Sequence, residues 1–267
     1  MSFKRVGIAG MQDFWNSKEL PDVSEEFQKS LVEQVLSSER KKTVASRSYN
    51  PSGFGCLRAL YYKRTGEPIT PRKETYSSIR IKQCGTSSHE ALQNYLSQMP
   101  GWNWVNIADY ISQNGLSYLQ VLSVKDNGET LLRDTRYDIV FCVDGLVNRN
   151  GFYYLIEIKT ETDEKLFQRK APEEEHIKQA SCYAMSLGLR GCLFIYEGRN
   201  YCSTKCYFMP INAEMKGQVT DTIITVEKYV QEGVVPPVQE DKKNCIYCNY
   251  VNSCRRDCSN ELDSKTI

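Results

Sequence analysis

No stretch of the 267 residues approaches the roughly twenty consecutive apolar residues that cross a bilayer. The opening residues, Met1-Ser-Phe-Lys-Arg-Val-Gly-Ile8, also lack the apolar run of a secretory signal. Both absences predict a cytoplasmic protein without membrane contact. No Gly-x4-Gly-Lys-Ser/Thr loop is present to cradle the phosphates of ATP, so the chain carries no motor of that kind. Internal repeats are missing as well. Charge of one sign is not in excess: 34 Lys and Arg face 33 Asp and Glu, a net +1, which neither demands nor excludes a polyanionic partner.

The charge is unevenly placed. From Arg40 to Lys82 there are eleven basic residues against Glu67 and Glu74, whereas Glu161 to Glu175 holds six acidic and three basic residues. A local basic field beside a neutral whole suits steering of a polyanion, although a solvated face accounts for it equally. Cysteine is abundant, with 11 residues. An odd count in a chain without an export signal points to buried thiols plus a metal site rather than to a disulfide scaffold. The length allows one domain with appendages or two domains.

The pattern predicts a charged helix around Glu25 to Lys42, with Phe27, Leu31, Val32 and Val35 as its apolar stripe. A second helix follows Cys56, and another is expected to begin near Gly85-Thr86-Ser87, capped by Thr86 or Ser87. Asn114-Gly115 and Asp126-Asn127-Gly128 mark turns. Arg136 to Asp144, Gly151 to Lys159 and Gly191 to Tyr196 read as strands, and Glu174 to Leu187 and Asp221 to Tyr229 as helices. This order describes an α/β sandwich around a mixed sheet.

Asn150-Gly151 is a favoured centre for a two-residue type I′ hairpin turn. With that centre Arg149 faces Phe152, and Asp144 lies opposite Glu157 with Cβ atoms about 5 Å apart. Lys159 follows Glu157 by two residues and projects from the same face. Two adjacent carboxylates repel each other unless a divalent cation lies between them. An ordinary solvent-facing hairpin is the competing reading; the apolar and aromatic residues flanking these positions favour a covered sheet. Asp138 shares the nominal face, but Asp144 reaches Glu157 without a register slip. Oxygen ligands suit Mg²⁺ or Mn²⁺, and Lys159 can orient water or neutralise charge on phosphoryl oxygens.

Asp144, thirteen residues before Glu157-Ile158-Lys159, resembles the core motif of the PD-(D/E)XK nucleases. Gly85-Thr-Ser-Ser-His89-Glu90 resembles the upstream helix motif of the RecB-like branch, and Gln179-Ala-Ser-Cys-Tyr183 its downstream helix motif. The resemblance implies a restriction-endonuclease-like mixed β-sheet flanked by helices, and covers about Cys56 to Cys254. It implies a metal held by His89, Asp144, Glu157 and the backbone carbonyl of Ile158, with Lys159, Gln179 and Tyr183 completing the catalytic set. The proline often found before the first carboxylate is absent, Val143 standing in its place.

Cys245-Ile-Tyr-Cys248, followed by five residues and Cys254, is a compact ligand nest that needs a fourth sulfur, either the local Cys258 or a distant cysteine. Spacing alone allows Zn²⁺ or an iron–sulfur cluster. The RecB-like iron–sulfur nucleases, CRISPR-associated exonucleases and viral relatives among them, place one cysteine before the core and three after it. That layout implies a structural [4Fe-4S] cluster on Cys56, Cys245, Cys248 and Cys254. Cys84, Cys142, Cys182 and Cys192 are expected to be small buried residues.

The expected organisation is a helical arm over residues 1–80, a nuclease core over 81–235 and a cysteine-rich segment over 236–267. The expected activity is metal-dependent hydrolysis of DNA, on single strands or free ends, because no module for reading base edges is recognisable. Arg58, Lys63, Arg64 and Tyr183 are candidate DNA contacts, and Tyr61 or Tyr62 could stack on a base or belong to the core. A helicase, recombination or CRISPR-associated partner and a homo-oligomer are compatible with this reading. Two alternatives stay open: a structure-selective endonuclease, and an inactive DNA-binding adaptor with a structural zinc.

Overall fold

A computed structural model describes residues 22–38, 46–70, 74–124, 129–240 and 245–264. The chain divides into two units, one of residues 1–41 and 74–80, the other of residues 42–73 and 81–267. In the first, helix α1 (Ser24–Ser37) buries none of its residues, and Phe27 and Leu31 of the expected apolar stripe are exposed. The end of that predicted helix, and the turn expected at Asp126 to Gly128, lie outside the described residues.

The second unit carries both sheets. Its main sheet has five strands in the order β1-β5-β6-β7-β8: β1 (Asn103–Trp104), β5 (Gly145–Arg149), β6 (Phe152–Glu161), β7 (Gly191–Gly198) and β8 (Thr204–Pro210). Parallel pairing joins β6 to β7, while the other neighbours are antiparallel. A separate antiparallel sheet contains β2 (Leu119–Val124), β3 (Thr130–Asp134) and β4 (Ile139–Cys142). The fold is therefore mixed α/β, with helices on both faces of the main sheet.

Alternation along β6 explains the two layers. Ile156 and Ile158 point to one face, where they join Val147 and Ile195 beneath Leu92 and Leu96 of helix α3 (Tyr76–Ser97). Leu155 points to the other, into a core shared with Phe194, Tyr196 and the buried residues Ala180, Tyr183, Ala184 and Leu187. Those last four lie on helix α6 (Glu174–Leu187), found with the bounds its sequence predicts. Each fully buried Leu or Ile stabilises this arrangement by roughly 1.5–3 kcal/mol. The remaining helices are α2 (Leu57–Thr65), α4 (Ile107–Gln113), α5 (Asp163–Gln168), α7 (Ala213–Glu232) and α8 (Val251–Ser264). Asn106 and Asn212 cap α4 and α7 by accepting from the amides of Asp109 and Met215. Among the described residues, no helix is long and apolar enough to cross a membrane.

Several expectations need correction. Helix α3 begins at Tyr76 rather than near Gly85, because Thr75 and Ser78 already exchange amide-to-hydroxyl hydrogen bonds there. Gly85 is interior to the helix: a Cβ at that position would come within 3.3 Å of Thr160 Oγ1. Thr86 donates back to the Lys82 carbonyl instead of capping. The strand expected over Arg136 to Asp144 is shorter, since residues 135–138 turn with Asp138 at φ 53°, and the chain changes sheets after Cys142. Cys182 and Cys192 are buried as expected; Cys84 is exposed and Cys142 only half-buried.

Candidate active site

The Asn150-Gly151 turn has both residues in the left-handed region, at φ 53° and 84°, as a type I′ hairpin requires. The ladder runs from Arg149↔Phe152 to Gly145↔Ile156. One position further, Asp144 comes opposite Glu157. Asp144 is not itself a strand residue; it occupies the crossing between the two sheets. There its Oδ2 accepts from the Ile158 amide at 2.6 Å, so a carboxylate takes over where backbone pairing stops.

Helix α3 closes one side. His89 Nδ1 lies 3.4 Å from Asp144 Oδ1, and Gln93, one turn on, donates through Nε2 to the Asp144 carbonyl at 2.7 Å. Gln93 is buried, and among the described residues its Oε1 finds no partner. Burial alone would lower the His89 pKa, but the hydrogen bond and charge of Asp144 outweigh it and raise the pKa above the ordinary imidazole value.

Helix α6 closes the other side. Glu157 is 2 % exposed, and its Oε1 lies 2.5 Å from Lys159 Nζ. Lys159 also donates to Gln179 Oε1 at 3.1 Å, and Gln179 Nε2 donates to the Tyr183 hydroxyl at 2.7 Å. Burial pushes the Glu157 carboxyl up, the Lys159 ammonium pulls it down and the Asp144 charge pushes it up again, leaving it at about 7. The Tyr183 hydroxyl is raised well above its usual range, first by burial and then by Glu157. Thus His89, Asp144, Glu157, Lys159, Gln179 and Tyr183 converge, with the Ile158 backbone between them.

Two further features were not read from sequence. Gln93 could have been found by its spacing from His89 on one helix face. The other is a clamp beside Lys159: Arg169 grips buried Glu161 through Nε at 2.6 Å and through Nη2, and reaches Glu173 at 2.9 Å. Its guanidinium stacks 3.9 Å above the Tyr196 ring, whose hydroxyl meets His176 Nδ1 at 2.8 Å. Burial first, then the Lys159 charge, hold His176 down at about 4. Arg169 lies in a stretch without periodicity, so nothing in the sequence signals its partner. Asp138, the competing carboxylate, is engaged elsewhere by Ser48, Arg64 and Arg133.

The predicted DNA contacts are placed differently. Arg58 is 1 % exposed and donates to the Pro236 carbonyl at 2.6 Å and to Cys258 Sγ at 3.1 Å, so it faces inward. Arg64 pairs with Asp138 and Glu227, and Lys63 donates to Asn50 at 2.5 Å. Tyr61 and Tyr62 are buried, the latter donating to Asp257. They belong to the core.

Cys56, Cys245, Cys248, Cys254 and Cys258 line one cleft of about 1220 Å³, together with Arg58 and Tyr62. Burial, with a smaller contribution from Cys248 and Cys254, raises the Cys56 thiol pKa. Among the described residues no three His, Cys, Asp or Glu side chains are gathered closely enough to hold an ion by themselves.

No family model and no curated protein matches the chain. Among solved structures it is similar to the crystal structure of SSO0001, with TM-score 0.43 and 15% identity over 86% of this chain and 95% of that one. It is also similar to an alkaline exonuclease, LHK-Exo, from Laribacter hongkongensis, with TM-score 0.42 and 18% identity over 75% of this chain and 95% of the other. The same exonuclease in complex with dAMP gives TM-score 0.41 and 18% identity over 76% and 95% of the two chains.

Proposed function

We propose that this protein is a metal-dependent DNA exonuclease of the RecB-like, iron–sulfur branch of the PD-(D/E)XK nucleases, acting on single strands or DNA ends. The observation that carries the reading is the pairing of Asp144 with Glu157 across the hairpin end, with Lys159 on the same face and His89 and Gln179 closing the sides.

The donor set fits a hard cation. Mg²⁺ takes one or two carboxylates and completes its octahedron with water and phosphate oxygens, so three convergent side chains are not required. Asp144, Glu157, the Ile158 carbonyl and His89 would hold Mg²⁺ or Mn²⁺. When bound, the ion polarises the phosphate and lowers the pKa of water. The chain's own residues do the rest. The Ile158 amide and Gln93 fix Asp144; Gln179, braced by Tyr183, orients the Lys159 ammonium toward charge developing on phosphoryl oxygens.

The lining of one cleft by Cys56, Cys245, Cys248 and Cys254 supports a site shared by the four. Cys56, Cys245, Cys248 and Cys254 would hold a structural [4Fe-4S] cluster, tying α2 to the segment around α8.

The test is a panel of end-labelled linear, circular, single- and double-stranded DNAs with Mn²⁺. Shortening of linear or single-stranded substrates, with circular duplex intact, is expected. Stable binding without any cleavage at high protein concentration would leave a DNA-binding adaptor; nicking of circles would leave an endonuclease.

A further inference from the structure

Phe167 and Tyr201, 85% and 81% exposed, are the most exposed of the large apolar side chains among the described residues. Both stand on braced backbone. Asp163 accepts from the amides of Asn200 and Tyr201 at 2.9 and 3.3 Å, and Lys205 Nζ donates to the Phe167 carbonyl at 2.9 Å. Phe167 lies one turn beyond Asp163 on α5, so α5 and the β7–β8 turn form one tied ridge.

The ridge continues the catalytic strand. The Arg199 amide donates to the Glu161 carbonyl at 3.0 Å, and its guanidinium to the Thr160 carbonyl at 3.2 Å. Thr160 and Glu161 directly follow Lys159, and two strand residues advance about 7 Å. The Arg169 clamp on Glu161 fixes the connection from α5 to α6. Arg199 and Lys170, both exposed, lie two residues before Tyr201 and three after Phe167 in the chain.

Exposed aromatic faces on tied backbone, continuous with the strand of Lys159, match a strand whose bases are unpaired, since bases stack on such rings. A duplex hides its base faces and gains nothing from the rings. We infer that Phe167 and Tyr201 form a stacking platform that leads single-stranded DNA to the Asp144–Glu157–Lys159 site. The inference rests on the nuclease reading of that site and adds the form of substrate it takes.

Binding of a fluorescein-labelled oligothymidine and of a blunt hairpin duplex is compared by anisotropy in Mg²⁺, in an Asp144→Asn background that prevents cleavage. Phe167→Ala and Tyr201→Ala are each expected to weaken oligothymidine binding about 5- to 100-fold. Phe167→Trp and Tyr201→Phe should retain it, and duplex binding should move less than about twofold, since the rings meet only unpaired bases. Alanine variants that bind oligothymidine like their parent overturn the platform. Equal losses on duplex do so too, as does a change of oligomeric state in light scattering without a change in DNA binding, which would make the ridge a protein interface. Absence of cleavage by the wild-type chain counts against the nuclease reading alone.

Discussion

The amide of Ile158 donates to the carboxylate of Asp144, fourteen residues earlier, at 2.6 Å. This bond orients the carboxylate at the point where β5 begins, and it sets what Asp144→Asn should do. An amide oxygen can still accept from Ile158, while the negative charge beside buried Glu157 disappears. Without divalent cation the variant should melt at the wild-type temperature or above it. Its Mn²⁺-dependent cleavage should fall by about 100-fold or more, as expected when a charge-stabilising ligand worth several kcal/mol is lost. Thermal melts and end-labelled cleavage assays measure the two effects; undiminished cleavage would remove Asp144 from the metal site.

Glu157 and His176 give stability opposite pH slopes. The Glu157 carboxyl rises on folding from 4.5 to about 7, so its contribution is complete below 4.5 and lost as pH rises through 7. His176 falls from 6.5 to about 4, so its contribution is complete above 6.5 and lost as pH falls through 4. The two oppose each other from 4.5 to 6.5; from 6.5 to 7 Glu157 acts in the same direction as His89, whose pKa Asp144 raises above 6.5. In EDTA the melting temperature should drop across that last interval. The drop should shrink in Glu157→Gln and with saturating Mn²⁺, which takes the proton's place.

Gln93 touches no reacting group and acts through Asp144. Gln93→Leu removes the bond to the Asp144 carbonyl, yet it also removes a buried oxygen that has no partner among the described residues. The two effects oppose each other, so stability should change by less than about 1 kcal/mol. The Mn²⁺ concentration that half-saturates cleavage should rise about 10-fold, in the range for loss of a group that holds a metal ligand. An unchanged Mn²⁺ requirement would reduce Gln93 to a packing residue.

The cysteine cleft makes an analytical prediction. Anaerobically purified protein should be brown and contain iron and sulfide, and Cys56→Ser should lose both. Cys258→Ser should keep its iron, because the proposed ligand set omits it. Colourless wild-type protein carrying stoichiometric zinc would replace the cluster with a zinc site.

Short-range rules made much of this legible. Asn150-Gly151 fixes the hairpin register through its own backbone requirement, and α6 carries an uninterrupted amphipathic pattern from Glu174 to Leu187. Long-range packing decided what could not be read. Gly85 resembles a helix start but serves a close approach to Thr160, and Arg58 resembles a surface cation but is drawn inward by a carbonyl and two cysteine sulfurs. The change of sheet at Asp144 is hidden because β4 and β5 are both apolar strands separated by two residues. The Glu161–Arg169 pairing depends on α5, the short helix that brings Arg169 back to the end of β6.

Helix α8 lays its side chains on α2 and the segment just after it: Cys258 and Cys254 against Arg58, Asp257 against Tyr62, and Ser253 against Glu67. These partners lie between 186 and 200 residues apart along the chain. During synthesis, α2 therefore leaves the ribosome long before the helix that covers it. Until α8 emerges, Arg58 and Tyr62 lack the Cys258 and Asp257 partners that it supplies. A chain stopped short of Val251 would keep its hairpin and the packing of α2 on α7, while α2 would lack the polar partners that α8 supplies.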